Sequence, residues 1–131
     1  MPLEAFKAAE ALTMGVELEL QLVSPTDFDL SSSAGDMLHL LSRGRFPGEV
    51  KPEMTESMIE VSTDVHTRHE ALLGQLRAMR DALVAAGDRL NVALCGGGTH
   101  PFQRWFRQRI FDKPRFREIS VLYGYLAKQF T

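Results

Sequence analysis

The sequence predicts a domain that combines strands and helices in the order β, α, β, α, β, α. Three stretches carry this prediction. Residues 16–22 alternate strictly between apolar and polar side chains, which is the pattern of a strand with one buried face. Residues 55–63 carry β-branched side chains at alternate positions near their end, which favours a second strand. Residues 67–86 carry apolar side chains at helical spacing, which predicts the longest helix.

The overall composition is that of a folded domain. The 131 residues are enough for one hydrophobic core, and 44% hydrophobic with 24% charged residues argues against disorder. The net charge of −2 argues against a generic nucleic-acid binder. A single cysteine, Cys95, excludes a disulfide framework, and neither a signal peptide nor a membrane-spanning run is found. We therefore expect a cytoplasmic protein with no nucleic-acid and no membrane partner.

The first predicted strand, at about residues 13–23, separates apolar from acidic side chains. Its apolar face carries five residues: Met14, Val16, Leu18, Leu20 and Leu22. Glu17, Glu19 and Gln21 fall on the other face, where the two carboxylates have Cβ atoms roughly 6–7 Å apart. Two close carboxylates repel each other unless a cation, proton or base lies between them. This face therefore either binds a divalent cation or is the solvated face of an edge strand.

The elements on either side of this strand are less distinctive. Residues 1–12 are predicted to form a short helical lead-in or a frayed arm. A proline-containing turn and a polar loop at 27–34 follow the strand. Residues 34–42 are predicted to form a helix that stops near Gly44, and residues 43–48 are predicted to be a loop.

The second strand, at about residues 55–63, also has an acidic face. One face would carry four side chains: Glu56, Met58, Glu60 and Ser62. Glu53 precedes Glu60 by seven residues, so a straight strand would place the two on opposite faces. Either the strand bends near Thr55, or Glu53 reaches in from the strand entry. A helix would align Glu53 with Glu60, but Pro52 and the β-branched run argue against it.

The second half of the chain begins with the helix at 67–86, which Gly87 is predicted to end. A short strand at 90–94 and a glycine-rich loop at 96–101 follow. The backbone N–H groups of this loop could approach an anion, but the loop lacks the ending of a P-loop and also fits an ordinary tight turn. A basic amphipathic helix is predicted from Pro114 to about residue 129.

The strongest chemical signal is a set of five carboxylates on the two acidic strands: Glu17, Glu19, Glu53, Glu56 and Glu60. If the strands pair, these carboxylates converge with no Lys or Arg beside them except Lys51. A set of oxygen ligands suits Mg²⁺ or Mn²⁺. The alternative is two independent solvated strand faces.

Other motifs give no comparable signal. The run His66–Glu70 has neither the zincin order nor its inverse, so it is interpreted as the polar start of the long helix. Aromatic residues in the basic C-terminal third recur at helical spacing, which favours packing over base stacking.

Four stretches together resemble the carboxylate–amine ligases of the glutamate–cysteine ligase type 2 family. They are residues 15–23, residues 51–63, residues 98–108 and residues 123–129. Their order and spacing agree with the family over nearly the whole chain. One departure is Leu18, which stands where relatives often carry a further glutamate.

The resemblance implies an α+β fold, namely a curved, mainly antiparallel sheet with outer helices that forms part of a glutamine synthetase-like catalytic fold. It implies that ATP phosphorylates a carboxylate, typically that of glutamate, and that an amine such as that of cysteine then displaces phosphate. It implies Mg²⁺ or Mn²⁺ as the metal. Carried over by position, the metal ligands are Glu17, Glu19, Glu53 and Glu60. Thr99 and His100 lie in the loop on the substrate side.

The resemblance also sets an expectation for the extent of the domain. The family continues into a strand with a His-Val-His motif, so residues 1–131 are expected to be the N-terminal part of a single ligase domain and to be inactive alone. Open sheet edges and an apolar tail favour a homo-oligomer. The alternative function is a non-catalytic module that self-associates or binds a partner.

Overall fold

The computed structural model of the protein describes residue 5, residue 8 and residues 12–129, so the predicted lead-in at 1–12 lies almost entirely outside the described residues. Its four strands pair in one antiparallel sheet of order β2-β3-β1-β4. The elements in chain order are β1 (Glu17–Val23), α1 (Ala34–Ser42), β2 (Glu49–Pro52), β3 (Met58–Ser62), α2 (His69–Leu90), β4 (Ala93–Gly96), a 3₁₀ turn (Trp105–Arg107), α3 (Pro114–Tyr123) and α4 (Leu126–Gln129).

These elements confirm the α+β class and the antiparallel sheet. Strand β1 lies inside the sheet and pairs with β3 on one side and β4 on the other. Helices α1 and α2 pack together on one face of the sheet. The core between helices and sheet contains ten buried residues: Leu22, Ala34, Met37, Leu41, Ile59, Val61, Met79, Leu83, Ala86 and Val92.

The alternation in β1 divides its side chains between these two environments. Leu22 is fully buried in the core, and Leu18 and Leu20 lie on the same face, opposite Val61 and Ile59 of β3. Glu17, Glu19 and Gln21 therefore point to the face away from α1 and α2. The predicted division of the first strand into an apolar and an acidic face follows from this packing.

The second acidic stretch is a hairpin of two strands. The predicted strand at 55–63 is confirmed as β3, which begins at Met58, but the predicted β, α, β, α, β, α order was wrong because it lacks β2. Strand β2 ends at Pro52, and residues 53–57 connect it to β3. Strand β2 was missed because its four residues are too few to show a clear alternation, and Pro52 was used only as an argument against a helix. A proline at the end of an edge strand is tolerated because its missing N–H is not needed by the ladder.

Two helix ends also differ from the predictions. The predicted helix from Pro114 to about residue 129 breaks at Gly124, whose φ of 56° ends α3. Helix α2 continues through Gly87 to Leu90, and Asn91, with a φ of 53°, ends it in the left-handed conformation. Because α2 is longer than predicted, the following strand starts at Ala93 and not at residue 90.

Gly87 permits the backbone at Val92 to lie close against helix α2. It is buried within α2, and a Cβ atom built there would lie 2.5 Å from the carbonyl oxygen of Val92. That oxygen belongs to the backbone, so it cannot move aside as the tip of a side chain can. Gly87 therefore allows the chain leaving α2 to turn back toward β4.

Between residues 12 and 129, no helix of the structure combines the length and apolar character that crossing a membrane requires.

We predict that Gly87→Ala destabilises the fold by about 1–3 kcal/mol, the usual range for inserting a methyl group into a filled interior. The matched control is Gly74→Ala in the same helix, where nothing lies within 4 Å of the added Cβ. At this position the higher helix propensity of alanine should raise the free energy of unfolding by up to about 1 kcal/mol. Urea unfolding measures both variants, and equal stabilisation by the two would contradict the close approach.

Candidate functional site

The candidate site lies on the face of the sheet that points away from α1 and α2, which we call the acidic face. Across the β1–β3 pair, Glu19 lies directly opposite Glu60, and Glu17 lies directly opposite Ser62. The pairing of the two acidic strands, on which the predicted convergence depended, is therefore present. Like charges directly opposite each other destabilise a sheet, so this face carries a strain that a cation would relieve.

Ser62 lies between two of these carboxylates. Its Oγ is 3.5 Å from Oε1 of Glu17 and 3.4 Å from Oε1 of Glu60. A hydroxyl has a single hydrogen to donate, so it can satisfy only one of the two acceptors at a time. Ser62 thus separates the two carboxylates without neutralising either.

Glu53 joins this group from the hairpin connection. It follows Lys51 by two residues, and Lys51 lies directly opposite Glu60. Burial raises the pKa of the Glu53 carboxyl above its ordinary value of 4.5, and the charges of Glu19 and Glu60 raise it further. The backbone N–H of Met54 and the positive charge of Arg115 act in the opposite direction. The odd spacing of Glu53 and Glu60 is accommodated because the chain reverses direction between them.

The connection that carries Glu53 is held by the segment after the 3₁₀ turn. Ser57 Oγ donates a 2.6 Å hydrogen bond to Oε1 of Gln108, and both side chains are buried. The backbone N–H of Glu56 bonds to the carbonyl of Arg109 at 2.8 Å. The Glu56 carboxylate is 3.1 Å from Nε of Arg109, so this fifth predicted acid is engaged in an ion pair.

An open cavity of about 450 Å³ lies over the acidic face. It is lined by Glu17, Leu18, Glu19, Glu60 and Gly97. The glycine-rich loop is thus a wall of this cavity, and the Gln21 side-chain amide donates a hydrogen bond to the Gly98 carbonyl. Within the described part of the chain, no three His, Cys, Asp or Glu side chains are close enough together to surround a metal ion. The carboxylates therefore share a face but form no closed cage.

His100, predicted as a substrate-side residue, makes contacts within the protein through both ring nitrogens. Nε2 lies 2.9 Å from the Phe28 carbonyl, and Nδ1 accepts a hydrogen bond of 3.1 Å from the backbone N–H of Gln103. Because a backbone N–H requires an acceptor at Nδ1, the hydrogen resides on Nε2. The buried ring therefore ties the loop after β4 to the loop after β1. Thr99 is exposed beside it, and its predicted substrate contact stays a prediction.

Lys51, the one cation that the sequence places beside the five carboxylates, lies between Glu49 and Glu60. Its Nζ lies 3.0 Å from Oε2 of Glu49 and 3.5 Å from Oε1 of Glu60. The hydrogen bond to Glu49 raises the pKa of Lys51, which keeps the ammonium charged. The pairing of Lys51 with Glu49 was not predicted. The signal for it is the spacing of two residues between them, which places both on one face once β2 is recognised as a strand.

Comparison with known proteins identifies the family of this chain. Residues 13–131 match the family described as glutamate-cysteine ligase family 2. The chain belongs to this family. The resemblance found in the sequence is therefore confirmed.

Three curated members of the family illustrate the similarity. A Legionella pneumophila (strain Lens) protein named "Putative glutamate--cysteine ligase 2-1" is 63% identical over 131 residues, which are all of this chain and 35% of the relative. A protein of Acidovorax ebreus (strain TPSY) is 61% identical over the same share of each chain. A protein of Polaromonas naphthalenivorans (strain CJ2) is 60% identical over 34% of its length. The chain thus spans about a third of the length of these relatives.

We predict that Glu53→Gln raises the melting temperature in a buffer free of divalent cations, more at about pH 7.5 than at about pH 4. The pKa of Glu53 is higher in the folded protein than in the unfolded chain, so the folded state binds this proton more tightly. The stabilisation is complete below 4.5 and is lost as the pH rises through the folded-state pKa. Glutamine has no titrating carboxyl group, so the variant does not lose this stability as the pH rises.

Differential scanning fluorimetry at several pH values measures this effect. The control is Glu70→Gln, which neutralises an exposed carboxylate of α2. If the gain in melting temperature of Glu53→Gln does not grow with pH, or if Glu70→Gln reproduces it, the raised pKa of Glu53 is contradicted.

Proposed function

We propose that the protein acts in ATP-dependent ligation of a carboxylate to an amine, in the manner of a glutamate–cysteine ligase. The observation that supports this most is the register that places Glu19 opposite Glu60 on an open sheet face, in a chain of this family. The relatives are named as glutamate–cysteine ligases, so glutamate and cysteine are the substrates we propose.

The carboxylates of the acidic face would hold Mg²⁺ or Mn²⁺. The ligands proposed are Glu17, Glu19, Glu53 and Glu60. Their oxygen donors match the preference of both ions. Burial raises the pKa of Glu53, and the charges of Glu19 and Glu60 raise it further. A dication would relieve the part that comes from these charges, which supports the assignment. Side-chain rotation is needed to bring three of these groups onto one ion. When bound, the metal would neutralise negative charge on the phosphates.

The reaction that we propose has two steps. An oxygen of the glutamate γ-carboxylate takes the terminal phosphoryl group of ATP, and ADP leaves. The amine of cysteine then attacks the acyl carbon, phosphate leaves with the bonding electrons, and the nitrogen loses a proton to become an amide. The four glutamates would hold the ion that neutralises the phosphate charge. The loop at 96–101, held by His100 and Gln21, would form the wall beside Thr99 on the substrate side.

The finer fold is part of the same proposal. An antiparallel four-stranded sheet with helices on one face is consistent with part of a glutamine synthetase-like catalytic fold. The homo-oligomer, the cytoplasmic location and the extent of the ligase domain stay predictions.

Substitution of the paired carboxylates tests the function. In a protein that contains residues 1–131, Glu19→Gln and Glu60→Gln should each lower ADP release with ATP, glutamate and cysteine by about 100-fold or more, because a metal contributes several kcal/mol to such steps. Glu70→Gln is the control and should retain full turnover. Unchanged turnover in both acidic-face variants would show that the metal assignment is wrong.

A further inference from the structure

Lys51 completes a row of charges that crosses three strands of the acidic face. Lys51 on β2 lies directly opposite Glu60 on β3, and Glu60 lies directly opposite Glu19 on β1. Glu60 therefore has a cation on one side and a second carboxylate on the other. Its two neighbours act on it with opposite sign, so the charge balance at Glu60 depends on where the Lys51 ammonium sits.

Lys51 has two partners that differ in their distance and their exposure. Nζ is 3.0 Å from Glu49, whose side chain is 63% exposed, and 3.5 Å from Glu60, whose side chain is 24% exposed. Glu49 lies on the same edge strand as Lys51, two residues away, and is therefore on the same face. The ammonium is thus shared between an outer and an inner carboxylate.

We propose that Lys51 is the built-in counter-charge of the acidic face, which neutralises Glu60 without metal and passes to Glu49 when a divalent cation binds Glu60. This inference rests on the proposed role of Glu60 as a metal ligand. An ammonium and a dication beside one carboxylate repel each other, so the two compete for Glu60. The flexible lysine stem allows the exchange, and Glu49 is already the closer partner.

This exchange makes Lys51 a positioning residue that sets metal affinity. Without Lys51, Glu19 and Glu60 face each other with less compensation, so the metal-free protein is less stable. For the same reason, a dication gains more by binding. Removing the lysine charge therefore changes metal-free stability and metal affinity in opposite directions, whereas a lysine that only maintains the fold would lower both.

The test is Mn²⁺ binding to the 131-residue chain, measured from the electron paramagnetic resonance signal of free Mn²⁺. Lys51→Met keeps the length of the side chain and should tighten binding by about tenfold, as expected for removing one repulsion near the surface. Its melting temperature without metal should fall. Lys51→Arg keeps the charge and should bind within about twofold of the wild type.

A double-mutant cycle tests the role of Glu49. Glu49→Gln should weaken Mn²⁺ binding by several-fold. Without the Glu49 carboxylate, Lys51 keeps only its ion pair with Glu60 and therefore competes more strongly with the dication. In the Lys51→Met background the same change should have less than about a twofold effect. Arg80→Met is the matched control, since it removes an exposed cation from α2 on the opposite side of the sheet, where Arg80 pairs with Asp81.

The outcomes separate this inference from the proposed function. If the wild type binds no Mn²⁺, or if Glu60→Gln binds as tightly as the wild type, the metal assignment fails and the role of Lys51 fails with it. If Glu60→Gln abolishes binding while Lys51→Met binds no more tightly than Arg80→Met, the metal site stands and the counter-charge role is overturned. Additive effects of Glu49→Gln and Lys51→Met on Mn²⁺ affinity would also overturn the counter-charge role.

Discussion

The antiparallel pairing of β1 with β3 is the interaction on which the rest of the site depends. On one face of the pair, Leu18 and Leu20 lie opposite Val61 and Ile59. Helices α1 and α2 cover this side from Leu20 onward, whereas Leu18 is exposed. Burial of that side determines the register. The same register places Glu19 against Glu60 on the other face, which by itself is unfavourable. The hydrophobic core therefore holds together two carboxylates that would otherwise separate.

Much of this arrangement could be predicted because period-two alternation is a local signal. Residues 16–22 specify their own two faces, and the structure places Leu22 in the core and Glu19 on the acidic face. Helix α1 was predicted with the bounds that the structure shows. What the residues alone could not establish is which strands pair, because pairing depends on contacts distant in sequence. The family resemblance implied a common role for the acidic residues of the two strands, but the pairing itself stayed a condition until the structure showed it.

The errors have specific physical causes. Strand β2 was missed because four residues are too few to show a clear period-two alternation, and its Pro52 is tolerated only because it ends an edge strand. Gly87 was interpreted as a helix end, whereas its role is a close approach to the Val92 carbonyl within a continuing helix. His100 carried a signal for chemistry, but its bonds to Phe28 and Gln103 show that it also fastens two loops. None of these contacts leaves a periodic pattern in the sequence.

The double use of β1 has a consequence for how this protein can vary. Substitutions at Glu17 or Glu19 alter an open face and leave the packing of Leu22 in place. Inserting or deleting one residue between Glu17 and Glu19 would instead turn every later side chain of the strand to the opposite face. A carboxylate would then be buried and a leucine exposed. Along these seven residues, variation is therefore expected as replacements on one face and not as changes in length, whereas the surface loops can differ in both.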